Sequence, residues 1–373
     1  MTQAIGPIEL FGHAVAVTVD DSPAAAVLAS ELALYPGAER PPDRFVVLTH
    51  APPPTRGMPN PTSHLELSDG FVARYPTASV RFGLSDLDAI RVTLHLPVEP
   101  SGLRRARRRW RNIQFATPDE SVGQLFHELA AVPMLSWDAD RMPIHASAVE
   151  LPTTGLVLVG GTGGGGKTTL AMELCRRHGG RFAADDISVV DAAGLVHPNL
   201  AYPKIYGYNL GPEDPELEAL VFAGSDAVDR AQWRWRMRRA GPSGVRRRIS
   251  PQRLAGDVTT TPTPLRGYLL LVREPRDDVA IEPIDAEAAA AMSIDVLAAE
   301  IAEHHRHLAW HAFNARAAGA APTVTVDARL AGWRELLTRV LAGVDCRIVR
   351  IPTGLDARAL RAELAPRIAA GLG

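Results

Sequence analysis

Lysine is almost missing from this chain. Of 40 basic residues only Lys167 and Lys204 are lysines, and the rest are arginines. Cysteine is equally scarce. Cys175 and Cys346 stand far apart, which argues against a disulfide framework and fits a reducing cytosol. No apolar run approaches the length of about 18 residues that a spanning helix needs, so no membrane partner is expected. The opening MTQAIGPIELFGHAVAV has no basic stretch ahead of its apolar residues. No signal peptide is therefore expected, and the protein is expected to be cytoplasmic. A dominant charge of one sign is also lacking. The net charge of −2 argues against a nucleic-acid partner, and the 46% hydrophobic content argues against a disordered chain. The 373 residues suffice for two domains at about 100–200 residues each, with a core that needs no disulfide or metal.

Residues 1–140 read as a small mixed α/β module. Strands are expected at 11–19, 45–50, 64–68, 71–76 and 90–97, with a helix over 21–34 that starts at Ser22 and Pro23. A further helix over 121–137 leads into the second module, 141–373. That module opens with an expected hairpin, 144–151 and 155–161, then a glycine-rich loop, a helix to His178 and a strand over 181–185. ISVVD and GLVHP form a second expected hairpin. Residues 228–266 are rich in arginine, proline and threonine with weak periodicity, and read as a long, partly mobile insertion. Strands 267–274 and 279–284 follow, then one alanine-rich helix over 286–318. The tail alternates strand TVTVD, helix 328–342, strand CRIVRIP and helix 356–370.

The sharpest signal is Gly161-Thr162-Gly163-Gly164-Gly165-Gly166-Lys167-Thr168, which fits G-x-x-x-x-G-K-[ST] between an apolar strand and a helix-forming run. Glycines let successive N–H groups turn inward onto phosphate oxygens, and the helix N-terminus adds partial positive charge. Lys167 is expected to reach the β- and γ-phosphates and Thr168 to ligate Mg²⁺, with Thr169 opening the helix beside them. Nucleotide, with ATP and Mg²⁺ as cofactors, is thus the first expected ligand. Asp185-Asp186 follows the next strand. Two carboxylates there divide naturally between a proton acceptor and a metal ligand; the alternative is a solvated Asp-Asp turn.

At these residues the chain resembles the HPr kinase/phosphorylase superfamily. It shares His145-Ala-Ser-Ala-Val, the apolar strand, the glycine-rich loop, the helix and Phe182-Ala-Ala-Asp-Asp-Ile, within residues 143–191. The resemblance implies a P-loop kinase core of the phosphoenolpyruvate-carboxykinase type and phosphoryl transfer from ATP to a hydroxyl. It implies Asp185 as catalytic base, His145 as its polarising neighbour and Asp186 as the metal-side partner of Thr168. It also implies a homo-oligomer. The glutamate signature of HPr-directed members has no counterpart in VHPNLAYPKIYGYNLGPE. The resemblance therefore leans towards the peptide-serine kinases of natural-product pathways. A small-molecule acceptor and a nucleotide-binding regulatory protein remain as alternatives.

Lys204, a lysine where arginine is the habit, is expected to contact phosphate or substrate. Arginine clusters at 104–111 and in the insertion suggest contacts to an acidic peptide through Arg234, Arg236, Arg246 and Arg247; a solvated face is the alternative. His304, His307 and His311 share a helical face, but no cysteine or carboxylate completes a metal pattern, so they are expected to be structural or solvated.

Overall fold

Alternating apolar residues build two mixed sheets in the computed structural model, which describes residues 2–97, 102–111, 120–211 and 214–371. The first sheet holds β1 (Thr2–Leu10), β2 (His13–Asp20), β3 (Arg44–Thr49), β4 (Met58–Pro59), β5 (His64–Leu67), β6 (Gly70–Arg74), β7 (Ser79–Gly83) and β8 (Ile90–His95). Their spatial order is β1-β2-β3-β8-β7-β6-β5-β4. β1 and β7 are strands that the sequence reading lacks. The exposed residues of β1 hide its apolar alternation, and β7 is a short strand paired on both sides.

The second sheet collects β9 (Arg141–Ile144), β10 (Ala146–Leu151), β11 (Gly155–Gly161), β12 (Arg181–Ala184), β13 (Ser188–Asp191) and β14 (Leu195–His197). A separate ribbon pairs β15 (Lys204–Tyr206) with β16 (Arg246–Arg248). β17 (Thr263–Glu274), β18 (Ala280–Pro283) and β19 (Asp345–Pro352) complete the main sheet. β11 lies between antiparallel β10 and parallel β17, and both expected hairpins form. Leu156, Val157, Leu158 and Val159 of β11 are all buried, as an interior strand covered on both faces requires. One apolar core runs from the first sheet onto the face of the second sheet that carries the Lys167–Arg177 helix.

Four expectations are corrected. Residues 228–266 are largely ordered: a helix spans Ala227–Ala240, β16 follows, and a short helix spans Pro251–Ala255. They close around Met172, Ile205, Leu217, Phe222, Trp233 and Leu254. Periodicity was weak because polar side chains face inward: Arg236 is fully buried, and Asp229 pairs with Arg247 at 2.5 Å. The alanine-rich stretch is two helices, Ala286–Glu300 and Ala302–Ala317, broken at Ile301. TVTVD is no strand. Thr325 instead caps the Val326–Leu341 helix by accepting from the Ala328 N–H, so a local cap outweighs β-propensity. The 121–137 helix carries a π-helical turn over His127–Ala131 and ends in a 3₁₀ turn.

Two polar clusters tie the sheets together. Glu31, on the Pro23–Leu32 helix, is fully buried and receives both Arg248 Nη2 at 2.5 Å and Arg248 Nη1 at 3.1 Å. The Tyr202 N–H also donates to Glu31. Elsewhere, the Ala302–Ala317 helix meets β5: His307 lies 3.3 Å from His64, and His311 lies 2.7 Å from Glu66. The histidine quartet is therefore buried structure rather than solvated surface.

Breaking a buried ion pair leaves the surviving charge uncompensated. Arg248→Ala is expected to lose about 3–5 kcal/mol in urea unfolding. Burial also pushes the His127 and His307 imidazoles down to about 4. The unfolded chain takes up these protons near pH 6.5 while the folded chain refuses them. Stability should therefore decline as pH falls from about 6.5 to about 4. His307→Gln should make the decline shallower in a pH series of urea midpoints.

Candidate functional site

The glycine-rich loop is shaped by space as well as by backbone freedom. Gly161 has φ +129°, and a Cβ there would lie 2.5 Å from the Leu271 carbonyl oxygen of β17. Gly166 has φ +109°, and its Cβ would lie 2.2 Å from Leu360. Glycine is needed at both places. Thr162, Gly163 and Gly164 are exposed, while Lys167 is buried at the start of the following helix. The Lys167 ammonium donates to the carbonyls of Gly161 and Thr162, both at 2.9 Å, and to His145 Nε2 at 2.8 Å. Burial holds Lys167 below the ordinary lysine range against the pull of the nearby carboxylates. Because Nε2 accepts from the ammonium, the proton of neutral His145 sits on Nδ1. Burial, and then the Lys167 charge, keep this imidazole below its ordinary value.

The two aspartates diverge through a tight turn. Asp186 has φ +68°, and the Ile187 N–H donates to the Asp185 carbonyl at 2.8 Å, which makes a positive-φ γ-turn of the rare, strained kind. Asp185 points under the loop. Its Oδ1 accepts from Ser147 Oγ at 2.6 Å and from Thr168 Oγ1 at 2.8 Å. Burial, reinforced by the Asp186 charge, raises its carboxyl. Asp186 points the other way. Its Oδ2 accepts from Lys204 Nζ at 2.7 Å, and its Oδ1 lies 3.7 Å from His145 Nδ1. Lys204 chiefly holds it well below the carboxylate range, against burial. Burial alone would lower the Lys204 ammonium, but Asp186 and Glu128 outweigh it and hold the group above the ordinary lysine range.

The structure thus brings residues 161–168, His145, Asp185, Asp186 and Lys204 into one place. It sets His145 beside Asp186 and Lys167 rather than beside Asp185, and it joins Thr168 to Asp185 rather than to Asp186. Thr169 is buried, and its hydroxyl accepts from Asn209 Nδ2 at 3.0 Å, away from the loop mouth. Two arginines expected at a substrate are corrected. Arg236 is fully buried, and Arg247 is buried against Asp229. Arg246 is half-buried and donates to the Tyr206 hydroxyl at 3.1 Å, while Arg234 is exposed.

Three site residues escaped the sequence reading. Ser147 sits two positions from His145, a spacing that puts neighbours on one face of an extended chain. Glu128 owes its place to the π-helical turn. Glu300 ends an alanine-rich helix and lies 3.6 Å from His145 Nε2; no sequence signal marked it. A cavity of about 280 Å³ opens beside Asp186, His145, Lys204 and Glu300. Among the described residues, no helix is long and apolar enough to cross a membrane.

Asparagine tolerates the left-handed backbone and alanine does not, and both remove the charge. Asp186→Ala should therefore be less stable than Asp186→Asn by about 1 kcal/mol in chemical denaturation. Equal stabilities would show that the turn at 186 carries no strain. No family model matches the chain, and a search of curated proteins finds no significant match.

Proposed function

We propose that the protein is an ATP- and Mg²⁺-dependent kinase that transfers the γ-phosphoryl group to a hydroxyl, built on a P-loop core of the HPr-kinase-like kind. The observation that carries this reading is the convergence of Lys167, Thr168, Asp185, Asp186 and His145 at the mouth of one glycine-rich loop.

On this reading the backbone N–H groups of 162–168 hold the phosphates, and Lys167 exchanges its carbonyl partners for phosphate oxygens. The hydroxyl of Thr168 and the carboxylate of Asp185, already 2.8 Å apart, are a hard oxygen pair that suits Mg²⁺. When bound, the ion supplies charge neutralisation on the transferred group. This exchanges the parts that the resemblance implies for the two aspartates: Asp185 serves the metal side and Asp186 the acceptor side. An acceptor hydroxyl beside His145 Nδ1 and Asp186 Oδ1 receives a hydrogen bond from the imidazole and gives one to the carboxylate. As its oxygen bonds to phosphorus, the proton passes to Asp186 and the bond to the ADP oxygen breaks. Lys204 holds Asp186 ionised, so it accepts a hydrogen bond from the acceptor hydroxyl throughout the neutral range and takes the proton only as the oxygen bonds to phosphorus.

The acceptor is the hydroxyl of a peptide serine or threonine, or of a small molecule. The cavity beside Asp186, about 280 Å³, admits one side chain or a compact ligand. The buried Arg236 and Arg247 are structural on this reading; of the four arginines expected at the acceptor, Arg234 is the exposed one.

Lys167→Ala should weaken binding of a fluorescent ATP analogue by about tenfold or more. Asp186→Asn should bind that analogue within about twofold of the parent, yet lose about 10²–10⁴ in transfer of labelled phosphate to serine peptides encoded beside the gene. Wild-type transfer by Asp186→Asn would remove Asp186 from the mechanism. Unchanged nucleotide binding by Lys167→Ala would overturn the phosphate-loop reading itself.

A further inference from the structure

The cavity beside Asp186 has an uneven charge lining. Four carboxylates face it, from Glu128, Asp186, Glu300 and Glu303, against one ammonium, Lys204. Lys204 is consumed by Glu128 and Asp186. That leaves Glu300 and Glu303, either side of the helix break at Ile301, with Glu300 close to His145 and Gly163 of the loop. Neither forms an ion pair with a lysine or arginine among the described residues; Glu300 lies 3.6 Å from neutral His145 and feels the Lys167 ammonium across that imidazole, while Glu303 has no cation beside it. The other imidazole in the lining, His304, is pushed by burial down to about 3 and carries no charge at neutral pH.

Two further features point to a ligand. His145 is 5% exposed, and its Nδ1 has no hydrogen-bond partner; Trp333 is 1% exposed, and its indole Nε1 has none. Buried donors left without acceptors are costly, and both side chains form part of this cavity's wall. Tyr75 and Trp333 add aromatic side chains to the lining.

We propose that this cavity binds a positively charged organic group, an ammonium or guanidinium, held by Glu300 and Glu303, and that the acceptor hydroxyl is carried by the same compound or side chain. The arginine-rich surface had suggested an acidic acceptor; the cavity selects the opposite sign. Its link to the acceptor rests on the kinase reading, but cation binding is independent of phosphoryl transfer. An anionic acceptor would meet the exposed carboxylates of Glu300 and Glu303, and like-charge contact disfavours binding.

Three hydroxyl compounds of one length separate the possibilities: 5-amino-1-pentanol, 1-hexanol and 6-hydroxyhexanoate, titrated into the full chain by ligand-observed NMR without nucleotide. The amine is expected to bind about tenfold more tightly than the other two. Glu303→Gln and Glu300→Gln should each cut that preference by about threefold or more, and the double variant should abolish it. Equal binding of all three, no binding of any, tighter binding of the carboxylate, or a preference that survives the double variant would each overturn the proposal. Competitive displacement of the amine by millimolar Mg²⁺ alone would overturn it too, since the carboxylates would then be a metal site. A selective amine site in a protein that transfers no phosphate would retain the cation site and reject the kinase reading.

Discussion

A single backbone dihedral governs this site. Two adjacent carboxylates at a strand end would ordinarily repel each other and drift into solvent. The positive φ of Asp186 turns them apart, so that Asp185 lies beneath the glycine-rich loop and Asp186 opens to the cavity. Each then acquires its own electrostatic surroundings. Asp185 is buried with two hydroxyl donors, and Asp186 faces the cation of Lys204. Groups pushed in opposite directions by their surroundings can divide acid–base and metal duties between them. Backbone strain of this kind persists only where neighbouring structure over-determines it.

The over-determination comes from both sheets. β12 is held against β10, and β13 is held against β9 and β14, so the turn that joins β12 to β13 is anchored at each end. Lys204 is held in turn by the ribbon, where it sits directly opposite Arg248. Arg248 is locked into the buried carboxylate of Glu31 on the first sheet's helix. Thus a charge on the cavity wall is positioned by an ion pair that reaches across to the N-terminal half. That half is part of the site's scaffold, and it also contributes Tyr75 and Glu128 to the wall.

Much of the loop side of the site was legible in the sequence, because its residues are local. Strand, glycines, lysine, threonine and the following helix lie within one continuous stretch, and each residue type has a physical reason to stand where it does. The scarcity of lysine also pointed to Lys204. The cavity side was not legible. Glu300 and Trp333 arrive from distant helices, and Glu128 is delivered by a π-helical turn, which periodicity does not register. The arginine-rich insertion misled for a related reason. Its helix buries Arg236 and Asp229 and leaves Trp235 and Val228 exposed, so an apolar-face criterion fails there. The two helices around Ile301 read as one in the sequence because no glycine, proline or other local stop signal marks the break.

The ribbon also has consequences for how this chain can change. β15 and β16 are only three residues each, and their register places Lys204 opposite Arg248. Side chains alternate along a strand, so a slip of one residue in either triplet would carry its charged residue to the opposite face. The described residues between them, 207–211 and 214–245, pack with Met172, Ile205, Ile249 and Leu254 around one small core. Their exposed turns can thus take insertions or deletions so long as this core and the alignment of both triplets are kept. Diversification of the arginine-bearing surface is in this way uncoupled from the charge that faces Asp186.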